Sequence, residues 1–262
     1  MAENDKTVSI IRSAYNLVGD SDFLKSVATL PQNDFVAKGV DKETGKISGP
    51  DNFGLISDYY KTFWIRIPKC ANSFVDFNVH GIMRPINFND DYDKFAKFSD
   101  YRGCAIIRDP FQRWLSGAKT FYKTAISIGD SQFAEIDEYA FHALVKNKFL
   151  AYNLIEFLFA NLLTNHHGLL QSYFLYPCDT RNIDFFYLNE NTGVHLNSWF
   201  LSNGVYNTLN NIKVNVSEDD YFSKFLNMFF LDSYNEKYKT KIIKSLQLDY
   251  DLIDTLHFYN RR

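Results

Sequence analysis

The run of apolar and polar positions is easiest to read in two places. Phe63, Trp64, Ile65 and Ile67 are β-favouring residues whose run stops at Pro68, after which Lys69, Cys70, Ala71, Asn72 and Ser73 lead into an apolar-periodic segment from Phe74. That order predicts a strand, a tight loop and a helix start. Cys104, Ala105, Ile106 and Ile107 make a second short apolar strand, followed by Arg108, Asp109 and Pro110. Asp109 suits a helix N-cap, Pro110 the first helical position and Gln112 a capping-box partner. Phe111, Leu115, Ala118 and Tyr122 then define one apolar helix face.

Elsewhere the pattern is mostly helical. Ser9 to Val18 reads as a helix, and Lys38 to Asn52, rich in Gly, Asp and Lys, as hairpin or loop. Gly81 and Pro85 break the helix after the first loop and leave a short extended segment at Ile86 to Phe88; the acidic stretch Asn89 to Tyr101 reads as a connecting helix or turn. Two helices are expected between Glu135 and Asn165, on the stripes Ile136, Ala140, Leu144, Val145 and Leu154, Leu158, Leu162. Phe185 to Leu188 and Ile212 to Val216 read as strands, and Tyr221 to Phe230, Asn235 to Leu246 and Tyr250 to Phe258 as helices. Strands alternating with helices predict an α/β fold with a central, mainly parallel sheet flanked by helices.

Composition narrows the picture. At 262 residues and 46% hydrophobic, the chain suffices for one large core, so a single domain over 1–262 is expected. Within it, 1–61 reads as an N-terminal appendage or edge element and 62–262 as the core, with a helical insert near 135–165. A net charge of −3 argues against a nucleic-acid-wrapping surface and leaves room only for a local basic groove. Cys70, Cys104 and Cys178 are widely spaced and predict neither a zinc site nor a disulfide framework, and Asp90, Asp91 and Asp93 read as a solvated face, so no metal is expected. The start of the chain lacks signal-peptide character, and NLIEFLFANLL, interrupted by Glu156 and Asn161, is too short to span a bilayer. A cytoplasmic protein of bacterial or viral type, without membrane insertion, is expected.

The two loops carry the candidate chemistry. A strand-to-helix junction presents unpaired backbone N–H groups, so the first loop suits a phosphate or sulfate, to which Lys69 adds a full charge. At the second, Arg108 and Ser116 are placed to converge on one anion, with Arg113 nearby. Two anion sites at two strand ends imply a ligand with phosphates at both ends.

On these residues the chain resembles the sulfotransferases that use 3′-phosphoadenosine 5′-phosphosulfate (PAPS), in their carbohydrate, Golgi-type branch. Pro68-Lys69-Cys70-Ala71-Asn72-Ser73 is similar to that family's PK-x-[GA]-x-[ST] loop for the 5′-phosphosulfate. Arg108-Asp109-Pro110-Phe111-Gln112-Arg113-Trp114-Leu115-Ser116 is similar to its R-[DN]-P-x-x-R-x-x-S segment for the 3′-phosphate. HHGLLQSYFLYPCD from His166, NIKVNVSE from Asn211 and the closing LDYDLIDTLHFY resemble further family segments, so the likeness spans Trp64 to Tyr259. It implies a P-loop-like three-layer fold and an enzyme moving a sulfuryl group in line from PAPS to the hydroxyl of a carbohydrate or small molecule, releasing 3′-phosphoadenosine 5′-phosphate (PAP) without a metal. It also implies that Lys69 stabilises charge on the leaving phosphate, that Lys69, Cys70, Ala71, Asn72, Ser73 and Phe74 hold the 5′ end, and that Arg108, Arg113 and Ser116 hold the 3′ end.

A base for the acceptor hydroxyl is less defined. HGIMRPINF resembles the His-Gly-His stretch of uronyl 2-O-sulfotransferases, which makes His80 the first candidate, although Ile82 stands where the second histidine of that stretch would be. His80 serves only if the helix ends before it. His167 is the alternative, and Asp76 and Glu190 are carboxylate candidates. Two other readings stand beside the enzyme. A P-loop-type kinase shares the cradle, but G-x-x-x-x-G-K-[ST] is missing and Lys69 opens the loop. A non-catalytic nucleotide-binding homologue would keep the cradle and lack the base.

Overall fold

The computed structural model describes residues 2–18, 53–79, 81–87, 100–127, 129, 134–163, 165, 167–175, 180–206 and 220–259. The expectations for Lys38 to Asn52, for 89–99 and for Ile212 to Val216, together with His80, His166 and Cys178, lie outside these residues. The architecture is α/β. Strands β1 (Phe53–Ser57), β2 (Thr62–Ile65), β3 (Arg84–Asn87), β4 (Arg102–Ile107) and β5 (Ile183–Tyr187) form one sheet in the order β3-β1-β2-β4-β5, flanked by helices.

The sheet is mixed, which corrects the expectation of a mainly parallel one. β2, β4 and β5 run parallel, whereas β1 is antiparallel to both of its neighbours. Only the turn Asp58–Lys61 separates β1 from β2, and so short a connection permits an antiparallel pair alone, since a parallel return needs a dozen or more residues. Pro85 is tolerated in β3 because that strand lies at the sheet edge.

Within 1–61, the described residues pack into the fold. β1 is hydrogen-bonded on both sides, and α1 (Ala2–Val18) buries Ile10, Ile11 and Ala14 in the core. Thr7 Oγ1 donates to Thr255 Oγ1 at 3.1 Å, tying α1 to the last helix, and α1 also packs on the 3-10 turn Ser172–Leu175.

Helix α2 (Asn72–Asn78) follows β2, and α3 (Pro110–Ser127) follows β4. Asp109 caps α3 by accepting from Gln112 N at 2.8 Å, and Phe111, Trp114, Leu115, Ala118 and Tyr122 bury the face the sequence marks. The insert is a helix pair, α4 (Glu138–Lys146) and α5 (Lys148–Leu162), joined at Asn147, which caps α5. α5 buries Leu158 and Leu162, whereas α4 has no fully buried residue and Val145 is exposed. Helices α6 (Thr192–Ser202), α7 (Tyr221–Leu231), α8 (Glu236–Ser245) and α9 (Gln247–Thr255) complete the described chain. No helix among the described residues is long and apolar enough to cross a membrane.

Candidate functional site

Both motif loops leave the same end of the sheet. β2 and β4 are parallel neighbours, paired from Thr62 with Arg102 to Ile65 with Ala105, so their C-terminal ends stand about 5 Å apart. In α/β sheets ligands bind beyond such strand ends. Cys70 N donates to Ile67 O at 3.1 Å, and both Lys69 (φ 67°) and Ala71 (φ 61°) are left-handed without being glycine. Each such residue stores about 1 kcal/mol or more, so the loop keeps this shape only because its surroundings impose it. The first bond of α2 runs from Val75 N to Ala71 O at 3.3 Å, which leaves the N–H groups of Asn72, Ser73 and Phe74 outside the helical ladder.

The surroundings that impose the shape are polar and buried. Arg113, 1% exposed, donates from Nε to Pro68 O at 2.8 Å and from Nη1 to Leu169 O. Expected at the 3′-phosphate, Arg113 instead braces the first loop from behind. Its helix position explains the difference: Pro110, Arg113 and Gly117 share one buried face of α3. Gln171, wholly buried, accepts at Oε1 from Arg108 N (2.9 Å) and from the Cys70 thiol (3.3 Å), and its Nε2 donates to Arg108 O at 2.8 Å. Asp249, also wholly buried, accepts from Gln171 N (2.8 Å), Ser172 N (2.9 Å) and Ser172 Oγ (2.8 Å). Burial raises the Asp249 carboxyl above its ordinary value, against the pull of Arg113 and these donors.

At the mouth, Lys69 Nζ donates to Thr120 Oγ1, and Arg108 Nη1 leans on Lys69 O at 3.5 Å. Ser116, Lys119 and Thr120 are neighbours on one face of α3, by their i, i+3 and i+4 spacing. Burial, seconded by the charges of Arg113 and Arg108, holds the Lys69 amine below its usual value. Burial lowers Lys119 too, with Asp220 opposing and Arg108 adding to the shift. A cluster of cations that depress one another is poised to gain from an anion.

Among the base candidates, His80 lies outside the described residues, but α2 ends at Asn78 and Gly81 adopts φ 78°, so the helix does stop before it. His167 approaches the site through its backbone. A Cβ on Gly117 would stand 2.3 Å from His167 O, so only glycine admits this contact, one residue from Ser116. Asp76 pairs with Arg66 at 2.5 Å, and burial raises its carboxyl despite that partner. Glu190 is exposed in the turn after β5. Cys70 is a buried thiol that burial pushes up to about 11, which suits a spacer and not a nucleophile.

Thr120 and Lys119 escape a sequence reading, whereas Gln171 and Asp249 fall within the HHGLLQSYFLYPCD and LDYDLIDTLHFY segments without a role being marked for either. Thr120 and Lys119 carry only the i+4 and i+3 spacing from Ser116 as a signal. Gln171 stands as the one polar residue between Leu170 and Leu169 on one side and the Ser172–Leu175 turn on the other. Asp249 occupies the buried stripe of Leu246 and Leu252, where a carboxylate must find donors. No group of three or more metal-ligating side chains occurs among the described residues. Set against known protein families, curated proteins and solved structures, the chain matches none.

Proposed function

We propose that this chain is a sulfotransferase that moves a sulfuryl group from PAPS to an acceptor hydroxyl, on a carbohydrate or small molecule, within a P-loop-like arrangement of β2, its loop and α2. The observation that carries the reading is the meeting of Lys69 and Arg108 at adjacent parallel strand ends, with the Arg108 guanidinium on the Lys69 carbonyl. The donor set fits a nucleotide with anions at both ends: backbone N–H groups, Ser73 and Lys69 on one side, Arg108 and Ser116 on the other.

The donor supplies the sulfuryl group, and the protein supplies position and charge. Lys69 counters the negative charge that builds on the leaving phosphate oxygen, from an amine already short of solvent. Thr120 fixes the direction of that amine through its hydroxyl. Arg108 grips the 3′-phosphate with a planar fork whose orientation Gln171 sets by holding the Arg108 backbone on both sides. His80 or His167 would take the acceptor proton, and the in-line geometry follows from holding donor and acceptor together.

Calorimetric titration with PAP, set against ADP and ATP, tests the reading. Micromolar binding that requires the 3′-phosphate is expected, and Arg108→Ala should weaken it by roughly 2 to 4 kcal/mol, the scale of a lost charge-assisted pair. Preference for ATP with Mg²⁺, or an Arg108→Ala affinity equal to wild type, would overturn it. PAP binding without transfer to any hydroxyl of a broad glycan panel would leave a binding module.

A further inference from the structure

We infer that Gln171 is a positioning residue that sets the spacing of the two anion-holding loops without touching the ligand; this rests on the donor-site reading above. Its single amide bonds both loops. Oε1 takes the Cys70 thiol at 3.3 Å from the first loop and Arg108 N at 2.9 Å from the second, while Nε2 closes the pair on Arg108 O at 2.8 Å. One acceptor and one donor facing the N–H and C=O of one residue reproduce what a neighbouring strand would offer. The amide thus extends the sheet edge past Ile107, where β4 ends. It keeps Arg108 from fraying just where its side chain must aim.

The amide is itself fixed. Gln171 N is anchored to Asp249 Oδ2, and Leu169 O, two residues earlier, accepts from Arg113. Arg113 also holds Pro68 O, so the strand-end loop, the segment carrying Gln171 and α3 form one rigid block. The Gln171, Asp249 and Arg113 side chains are all buried. A ligand that bridges both loops feels their separation, whereas a ligand held by one loop does not.

The full-length chain is titrated with PAP and with 5′-AMP, which lacks the 3′-phosphate. Gln171→Leu should lower the affinity for PAP tenfold or more and that for 5′-AMP less than threefold. Gln171→Glu, of equal volume, keeps the acceptor but ionised has no donor for Arg108 O, and it should fall between Gln171→Leu and wild type. Melting curves establish which variants are folded, and the Gln171→Glu ratio decides if Gln171→Leu is not. Equal loss for both ligands, or no loss for either, overturns the positioning role and leaves the donor-site reading intact. Wild-type protein that binds PAP no better than 5′-AMP overturns the donor-site reading and this inference with it.

Discussion

Asp249→Ala would remove the deepest support of the site, and its effect can be worked out from the bonds it breaks. The buried N–H groups of Gln171 and Ser172 and the Ser172 hydroxyl all lose their acceptor. An orphaned buried donor costs about 1–3 kcal/mol. Arg113, equally buried, also loses the favourable charge of that carboxylate. These terms overlap because the same carboxylate serves all of them, so about 4–5 kcal/mol is expected in total. That is a large part of the roughly 5–15 kcal/mol that domains possess, and it corresponds to a melting point lowered by about 10–15 °C. Asp249→Asn keeps the volume and one acceptor oxygen, and should cost only about 1–2 kcal/mol. Urea unfolding at neutral pH, followed by circular dichroism, measures both. An Asp249→Ala variant within about 1 kcal/mol of wild type, or an Asp249→Asn variant as damaged as it, would refute the account.

Two further outcomes follow from features at the mouth. On the proposed function Lys69→Met should abolish transfer, while leaving the unliganded protein as stable as wild type or more so, because the amine is kept below its ordinary 10.5 by burial and by Arg113 and Arg108. The sign follows from proton counting: in the window just below 10.5 the unfolded chain binds more protons at Lys69 than the folded one, so wild-type stability gains on Lys69→Met as pH rises through it. Matched unfolding curves from pH 8 to 10.5 would read this, and a wild-type advantage that shrinks with pH would refute it. Gly117→Ala should destabilise by about 1–3 kcal/mol, although Gly→Ala inside a helix ordinarily stabilises, because the new Cβ would stand 2.3 Å from His167 O. A raised melting temperature would show that the 167–169 segment yields at no cost.

The parts of the site legible in the sequence are those with local causes. The strand before Pro68, the cap at Asp109 and the apolar face of α3 each depend on residues within a turn of one another; the structure has the cap and the face where the pattern puts them and ends β2 at Ile65, short of Pro68. β1 was not legible, because Phe53–Ser57 is short and its place inside the sheet depends on β3, reached only after α2. Arg113 shows how charge misleads: its motif position suggests a ligand, while the helical period turns it inward with Pro110 and Gly117. The Gln171–Asp249 contact joins residues 78 positions apart, and such a pairing leaves no local trace beyond a polar residue on an apolar stripe.

The closure of α1 on α9 bears on how the protein is made. Thr7 and Thr255 meet across 248 positions, and the carboxylate that steadies the strand-end loops comes from α9. During synthesis both loops emerge well before their brace, so a nascent chain can contain every residue of the two loops while the space between them has no settled shape. Contacts of this range form late and slowly. On the proposed function, a chain cut just before α9 would keep both strand-end motifs and bind no PAP.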